Sequence, residues 1–132
     1  ISSAASDVYK RQRVVYTDRL APLSEEFGNN ILELLKKNSD LDGIFATSDV
    51  MAANIIRACK KMGKRVPEDI SIVGFDDTWI STLTYPSITT IHQPVQEMCE
   101  YAIEAIVKKV KGEKVPSQVV FPVDLIDRES TK

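Results

Sequence analysis

The sequence predicts an α/β fold, a parallel sheet flanked by helices, and three observations predict it. Short apolar runs alternate with stretches whose apolar residues recur at helical spacing, so the order from Val14 onward is β-α-β-α-β. The intervening helical stretches are long enough to cross over the sheet, which implies parallel strands joined by right-handed connections. Finally, Ile70, Ile72, Val73 and Phe75 make a nearly continuous apolar run, the pattern of a parallel strand covered on both faces.

Taken in order, Ile1 to Arg13 carry no strand or helix period. They read as a disordered or artefactual leader, with Lys10, Arg11 and Arg13 as a solvated charge cluster. The run SSAASDVYKRQ is similar to runs at the ends of translations contaminated by adapter sequence. Val14-Val15-Tyr16-Thr17 is the first strand candidate. Ser24 is a suitable N-cap, and Glu25 and Glu26 fall in the first turn, where the helix dipole favours negative charge. Phe27, Ile31, Leu34 and Leu35 follow as an apolar stripe; Lys36 and Lys37 close the helix, and close packing would account for Gly28 inside it.

Gly43 to Ala46 is the second strand. Thr47-Ser48-Asp49 is a cap cluster that opens a helix with Met51, Ile55, Ala58, Cys59 and Met62 on its apolar face and Gly63 as its stop. Val66-Pro67-Glu68-Asp69 is a loop, Ile70 to Phe75 the third strand, and Asp76-Asp77 lie just past its carboxyl end. Gly74 lets the chain turn there or lets another group approach closely. Thr78 to Pro86 is irregular, with room for one helical turn, and holds the only tryptophan, Trp79, as a packed or interface aromatic. Ser87 to Ile91 is extended. Pro94 opens a long helix with the stripe Val95, Met98, Cys99, Ala102, Ile103, Ile106, Val107 and Val110, and Gly112 ends it. Pro116 to Phe121 and Val123 to Ile126 are extended segments around Pro122.

At 132 residues the chain is one domain's worth, and an apolar share of 43% with 27% charged is that of a globular protein. A net charge of −2 gives it no basic footprint for nucleic acid or for an anionic membrane. No run reaches the roughly 20 apolar residues of a membrane span, and Ile1 to Gln12 has no apolar core of a secretory signal. Cys59 and Cys99 lack metal-ligand spacing and read as core thiols in a reducing compartment, with a disulfide left open.

Parallel strands would bring Thr17-Asp18, Thr47-Ser48-Asp49 and Asp76-Asp77 to one edge of the sheet, with His92-Gln93 beside them. In open α/β sheets ligands bind at that edge. Short hydroxyls, carboxylates and an amide suit a small, neutral, hydroxyl-rich ligand, because carboxylates accept from hydroxyls while Ser and Gln both donate and accept. Plainer roles stand beside these: Ser48 or Asp49 as the helix cap, one of Asp76 and Asp77 as a tie for the following loop, Gln93 as a cap and His92 as a structural residue. No nucleophile elbow, P-loop or dinucleotide glycine fingerprint occurs, and one histidine makes no triad, so an enzyme is not expected. No catalytic residue, metal ligand or cofactor is assigned.

Four separated segments give a resemblance. Asp42-Gly43-Ile44-Phe45-Ala46-Thr47-Ser48-Asp49-Val50-Met51-Ala52, Val66 to Asp77, Thr89-Thr90-Ile91-His92-Gln93-Pro94 and Arg128-Glu129-Ser130-Thr131 occur in the order and spacing of LacI/GalR-type transcriptional regulators. The resemblance covers about residues 14–131, the second half of such a regulator's effector-binding region. It implies a periplasmic-binding-protein-like lobe, a fragment of a two-lobe domain with a small-molecule effector, a sugar or derivative, held between the lobes. Residues 14–91 would be the C-terminal lobe, 92–116 a hinge crossing and a helix of the other lobe, and 117–132 a return segment and tail. Position by position, the family's effector contacts fall on Leu23, Ser48, Asp76 and Gln93. Leu23 stands where an aromatic is common, so ring stacking is not carried over; an upstream arginine has no match. The resemblance further implies a cytoplasmic homodimer, with operator DNA bound only through an N-terminal domain outside this sequence. The rival is a periplasmic sugar-binding protein of an uptake system.

Overall fold

The computed structural model describes residues 25–132. The leader, the strand candidate Val14 to Thr17, the cap Ser24 and the site candidate Leu23 lie outside the described residues. Helix α1 spans Glu25–Lys37 and α2 spans Asp49–Lys61. Strand β1 is Gly43–Phe45, β2 is Ser71–Asp76, and β3 is Thr89–His92, with a single helical turn α3 at Ile80–Leu83 before it. A long helix, α4, runs over Val95–Val110, and β4 is Asp124–Ile126. Gly63 and Gly112, at φ +71° and +78°, sit just beyond α2 and α4, where a left-handed residue ends a helix without a Cβ penalty.

The four strands lie in the order β1-β2-β3-β4. The first three are parallel, as expected, with Phe45 opposite Val73 and Val73 opposite Thr89. The fourth departs from a wholly parallel sheet: β4 is antiparallel to β3, with Asp124 opposite His92. The excursion from Gln93 to Val123 leaves and returns at the same end of β3, so the returning strand must run back down it. The segment 116–121 joins no ladder.

Helices α1 and α2 pack on each other and on the same face of the sheet. Phe27, Ile31 and Leu35 of α1 meet Ala52, Ile55, Ile56 and Cys59 of α2 over Ile72 and Ile88 in one buried cluster. The apolar stripes read from the sequence are therefore real core faces, and each buried Leu, Ile or Phe contributes about 1.5–3 kcal/mol of hydrophobic free energy. The prediction that β2 is covered on both faces fails among the described residues. With both helices on one side, the other keeps Val73 and Phe75 only half-buried, and Phe45 and Leu125 are 59% and 62% exposed. The rings of Phe45 and Phe75 meet edge to face at 6.2 Å.

Several local expectations also change. At Gly28 nothing among the described residues comes within 4 Å of an added Cβ, so none of them packs closely there. Trp79 is exposed, as are Leu83 and Tyr85 beside it, which sets aside the packed role weighed for it and leaves the interface one. Cys59 is buried as a core thiol but Cys99 is exposed, and neither is in a disulfide. Cys99 lies on α4, no residue of which is buried. The contact of α4 with the return segment includes an edge-to-face pair, Tyr101 with Phe121 at 5.8 Å.

The tail completes the sheet. β3 pairs with β2 only from Val73 onward, and Ser130 takes the place beside Ile72. The Ile72 amide donates to the Ser130 carbonyl at 2.8 Å, and the Ser130 hydroxyl donates to the Ile72 carbonyl at 2.5 Å. That hydroxyl also accepts from the Thr89 amide at 2.8 Å, so a fully buried serine satisfies donors and acceptors on both strands.

Candidate functional site

The parallel strands end together, and the carboxyl end of β2 carries the site. Gly74 is there for space rather than for turning. A Cβ at Gly74 would collide with Oδ1 of Asp49 and lie 3.0 Å from Ile88. The carboxylate that fills this space is fully buried and well partnered. Asp49 accepts from the Thr90 hydroxyl at 2.5 Å, from the Thr78 amide at 2.6 Å and from the Thr78 hydroxyl at 3.0 Å. Asp49 thus ties α2 to β3 and to the loop after Asp77. It is neither the helix cap nor a ligand contact, the two roles weighed from the sequence. Ser48 is the cap, its hydroxyl accepting from the Met51 amide at 3.3 Å.

The turn is made by the aspartates themselves. Asp76 and Asp77 have φ of 102° and 52°. Side-chain-bearing residues rarely occupy that region, and two in succession require surroundings that hold them there. The hold on Asp77 is visible. Its Oδ1 accepts from Arg128 at 2.6 Å and from the Ser81 hydroxyl at 3.4 Å, and its Oδ2 is 2.9 Å from His92 Nδ1. Arg128 also donates to the Ser81 hydroxyl at 3.0 Å and to the Ile88 carbonyl at 2.9 Å. Burial pushes the Asp77 carboxyl up, but the hydrogen bonds and charges of Arg128 and His92 outweigh it and hold it below its ordinary value. Asp77 is therefore an ionised structural anchor, the tie for the following loop.

Asp76 points elsewhere. Its Oδ1 accepts from the Gln93 side-chain amide at 2.7 Å, and its other oxygen carries no hydrogen bond among the described residues. The two groups stand in an open cleft of about 600 Å³ whose wall includes Asp77, His92, Val95 and Glu97. The cleft forms where β2 and β3 end and α4 begins. Its groups are carboxylates, amides and an imidazole beside an apolar Val95. Such a wall can accept from several hydroxyls and donate back through Gln93.

Of the four positions expected to meet a ligand, Asp76 and Gln93 are brought together and bonded to each other. Ser48 is not in the cleft wall, and its hydroxyl is engaged as the helix cap. Leu23 lies outside the described residues. His92 was read as structural; it does brace Asp77, yet it also lines the cleft. The signal in the sequence was its place between Ile91 and Gln93 at the strand end. Among the described residues no group of three His, Cys, Asp or Glu side chains could hold a metal, and no helix is long and apolar enough to cross a membrane.

The family described as "Periplasmic binding protein-like domain" matches residues 3–131. The ribose operon repressor of Halalkalibacterium halodurans is 37% identical over 100 residues, which are 75% of this chain and 30% of that protein. The solved complex of the transcriptional regulator CelR with cellobiose superimposes with a TM-score of 0.74 at 34% identity, over 78% of this chain and 32% of that one. The lac repressor dimer bound to operator and the anti-inducer ONPF gives a TM-score of 0.75 at 29% identity, over 82% and 38%. The chain thus spans about a third of the length of the proteins it matches.

Proposed function

This chain belongs to the periplasmic binding protein-like domain family, in the form found in LacI/GalR-type regulators, and from that premise we propose that it is the effector-sensing part of a DNA-binding transcriptional regulator. The effector is a small, neutral, hydroxyl-rich molecule, a sugar or a close derivative. It binds in the cleft at the ends of β2 and β3, with Asp76 accepting from one hydroxyl and Gln93 donating to or accepting from another. Ser48, whose hydroxyl caps α2 away from the cleft wall, is not part of this contact set, and the resemblance alone adds Leu23 to it. The observation that carries this reading is the Asp76–Gln93 pair, whose carboxylate keeps an oxygen free at the cleft wall.

Residues 25–91 are the body of one lobe, 92–116 a hinge crossing with the helix that serves a second lobe, and 117–132 the return. The exposed apolar stripe of α4 supports that division: Ile103, Ile106 and Val110 are left in solvent, with no partner element beneath them among the described residues. A sugar between two lobes favours the closed arrangement by its differential affinity for the two states. In a cytoplasmic homodimer that shift changes how the N-terminal DNA-binding heads meet the operator. The relatives named above as regulators favour this over a solute-binding protein of an uptake system and over an enzyme.

The test is isothermal titration of the full-length regulator with neutral sugars, beginning with D-ribose and cellobiose, followed by operator binding with and without the tightest one. Asp76→Asn is the diagnostic variant, because asparagine tolerates a positive φ where alanine adds strain. Losing a hydroxyl-to-carboxylate bond weakens sugar binding by about 1–3 kcal/mol. Unchanged affinity would remove Asp76 from the site, and the absence of any sugar response would overturn the reading.

A further inference from the structure

We propose that His92 is a ligand-contacting residue of this cleft, presenting its Nε2 to a hydroxyl of the bound molecule. The inference rests on the sugar-binding reading above and deepens it. Three observations meet at this side chain. His92 is the ladder partner of Asp76, so the imidazole and the ligand carboxylate stand side by side on adjacent strands. It lines the same cleft as Asp76 and Gln93 and keeps 47% of its side chain exposed. Its Nδ1 is committed, 2.9 Å from Oδ2 of an ionised, partly buried Asp77 that Arg128 also clamps.

The commitment of Nδ1 decides what the other nitrogen offers. A carboxylate only accepts, so Nδ1 carries the proton. In the neutral ring that leaves Nε2 as an acceptor; in the cation Nε2 donates. A hydroxyl satisfies either form, because it both donates and accepts, whereas an ammonium or a carbonyl satisfies only one. Together the three side chains give the cleft a fixed acceptor at Asp76, a fixed amide at Gln93 and an adaptable nitrogen at His92. Adjacent hydroxyls of a pyranose or furanose ring match that set. The competing role is that His92 only steadies Asp77, which would leave ligand affinity indifferent to Nε2.

Two substitutions separate the roles in the full-length regulator. The Asn amide nitrogen can stand where Nδ1 does, so His92→Asn keeps the bond to Asp77 and removes the distal nitrogen. The Gln amide reaches the position of Nε2, so His92→Gln keeps the distal group. Wild type and both variants are titrated with D-ribose and cellobiose, and with monodeoxy analogues of whichever binds. His92→Asn is expected to weaken binding about five- to tenfold, with most of the loss recovered in His92→Gln. One monodeoxy analogue is expected to lose affinity on the wild type and nothing further on His92→Asn. Wild-type affinity in His92→Asn, equal losses in both variants, or unchanged monodeoxy penalties would each overturn the proposal while leaving the sugar reading in place. If no sugar binds the wild type, that reading falls and this contact falls with it.

Discussion

Gly74→Ala concentrates the packing around the site into one atom. The new methyl would occupy the volume of Asp49 Oδ1, 3.0 Å from Ile88 Cγ2 and 3.4 Å from the Thr90 hydroxyl. Asp49 cannot swing aside cheaply, because its carboxylate is buried and accepts three hydrogen bonds. Overpacking a filled core costs about 1–3 kcal/mol, and displacing a buried carboxylate from even one donor adds about 1.5–3 kcal/mol. The sum is a destabilisation of about 2.5–6 kcal/mol, a large fraction of a domain's total stability. Urea unfolding of the full-length regulator, followed by circular dichroism, would read it as a lower midpoint. The sharper measurement is a cycle with Asp49→Ala. If the clash is with that carboxylate, Gly74→Ala costs at least about 1 kcal/mol less once Asp49 has been truncated. Strict additivity, or a Gly74→Ala protein within about 0.5 kcal/mol of wild type, would refute the reasoning.

Two further outcomes are expected. The folded-state pKa of Asp77 lies below its ordinary value of 3.8, so its contribution is fully present above that value and is lost as pH falls through the folded one. Acid titration of Arg128→Met should show a smaller stability loss across that window than wild type does; parallel curves would mean that the pair is not coupled. Separately, the isolated chain should bind a hydrophobic dye through the open stripe of α4, and Ile103→Asp with Ile106→Asp should reduce the signal; a dye-silent wild-type chain would argue against the assignment of α4 to a second lobe.

The sequence made some features legible and hid others for physical reasons. Helical periodicity placed α1, α2 and α4, because burial of one face leaves a 3.6-residue signature. The apolar run from Ile70 and the small-polar clusters at strand ends located β2, β3 and the edge where Asp76, Asp77 and Gln93 meet, and the family resemblance singled out Asp76 and Gln93. Periodicity could not say which way a three-residue strand runs, so the antiparallel β4 went unread; only the path of the chain between Gln93 and Val123 decides it. Nor could it say that both helices share one face. The role of Asp49 was hidden because its donors, Thr78 and Thr90, are remote in sequence, and a cap position offered a simpler explanation. The left-handed aspartates were hidden because the groups that hold Asp77, Arg128 and His92, and the one that holds Asp76, Gln93, are remote in sequence.

The serine that stands beside Ile72 and the arginine that clamps Asp77 both come from the tail, and Arg128 lies 51 residues beyond Asp77. A ribosome adding about 5–20 residues per second needs about 3–10 s to cover that interval. Throughout it, β2 and the aspartate turn are already made but lack the clamp of Arg128 on Asp77 and the pairing of Ser130 with Ile72. One anchor of the cleft wall thus comes from chain made well after the wall itself, and Asp77 is clamped only once Arg128 has been added. A ribosome stalled before Arg128 would hold a helix-on-sheet core in which Asp77 still lacks its arginine.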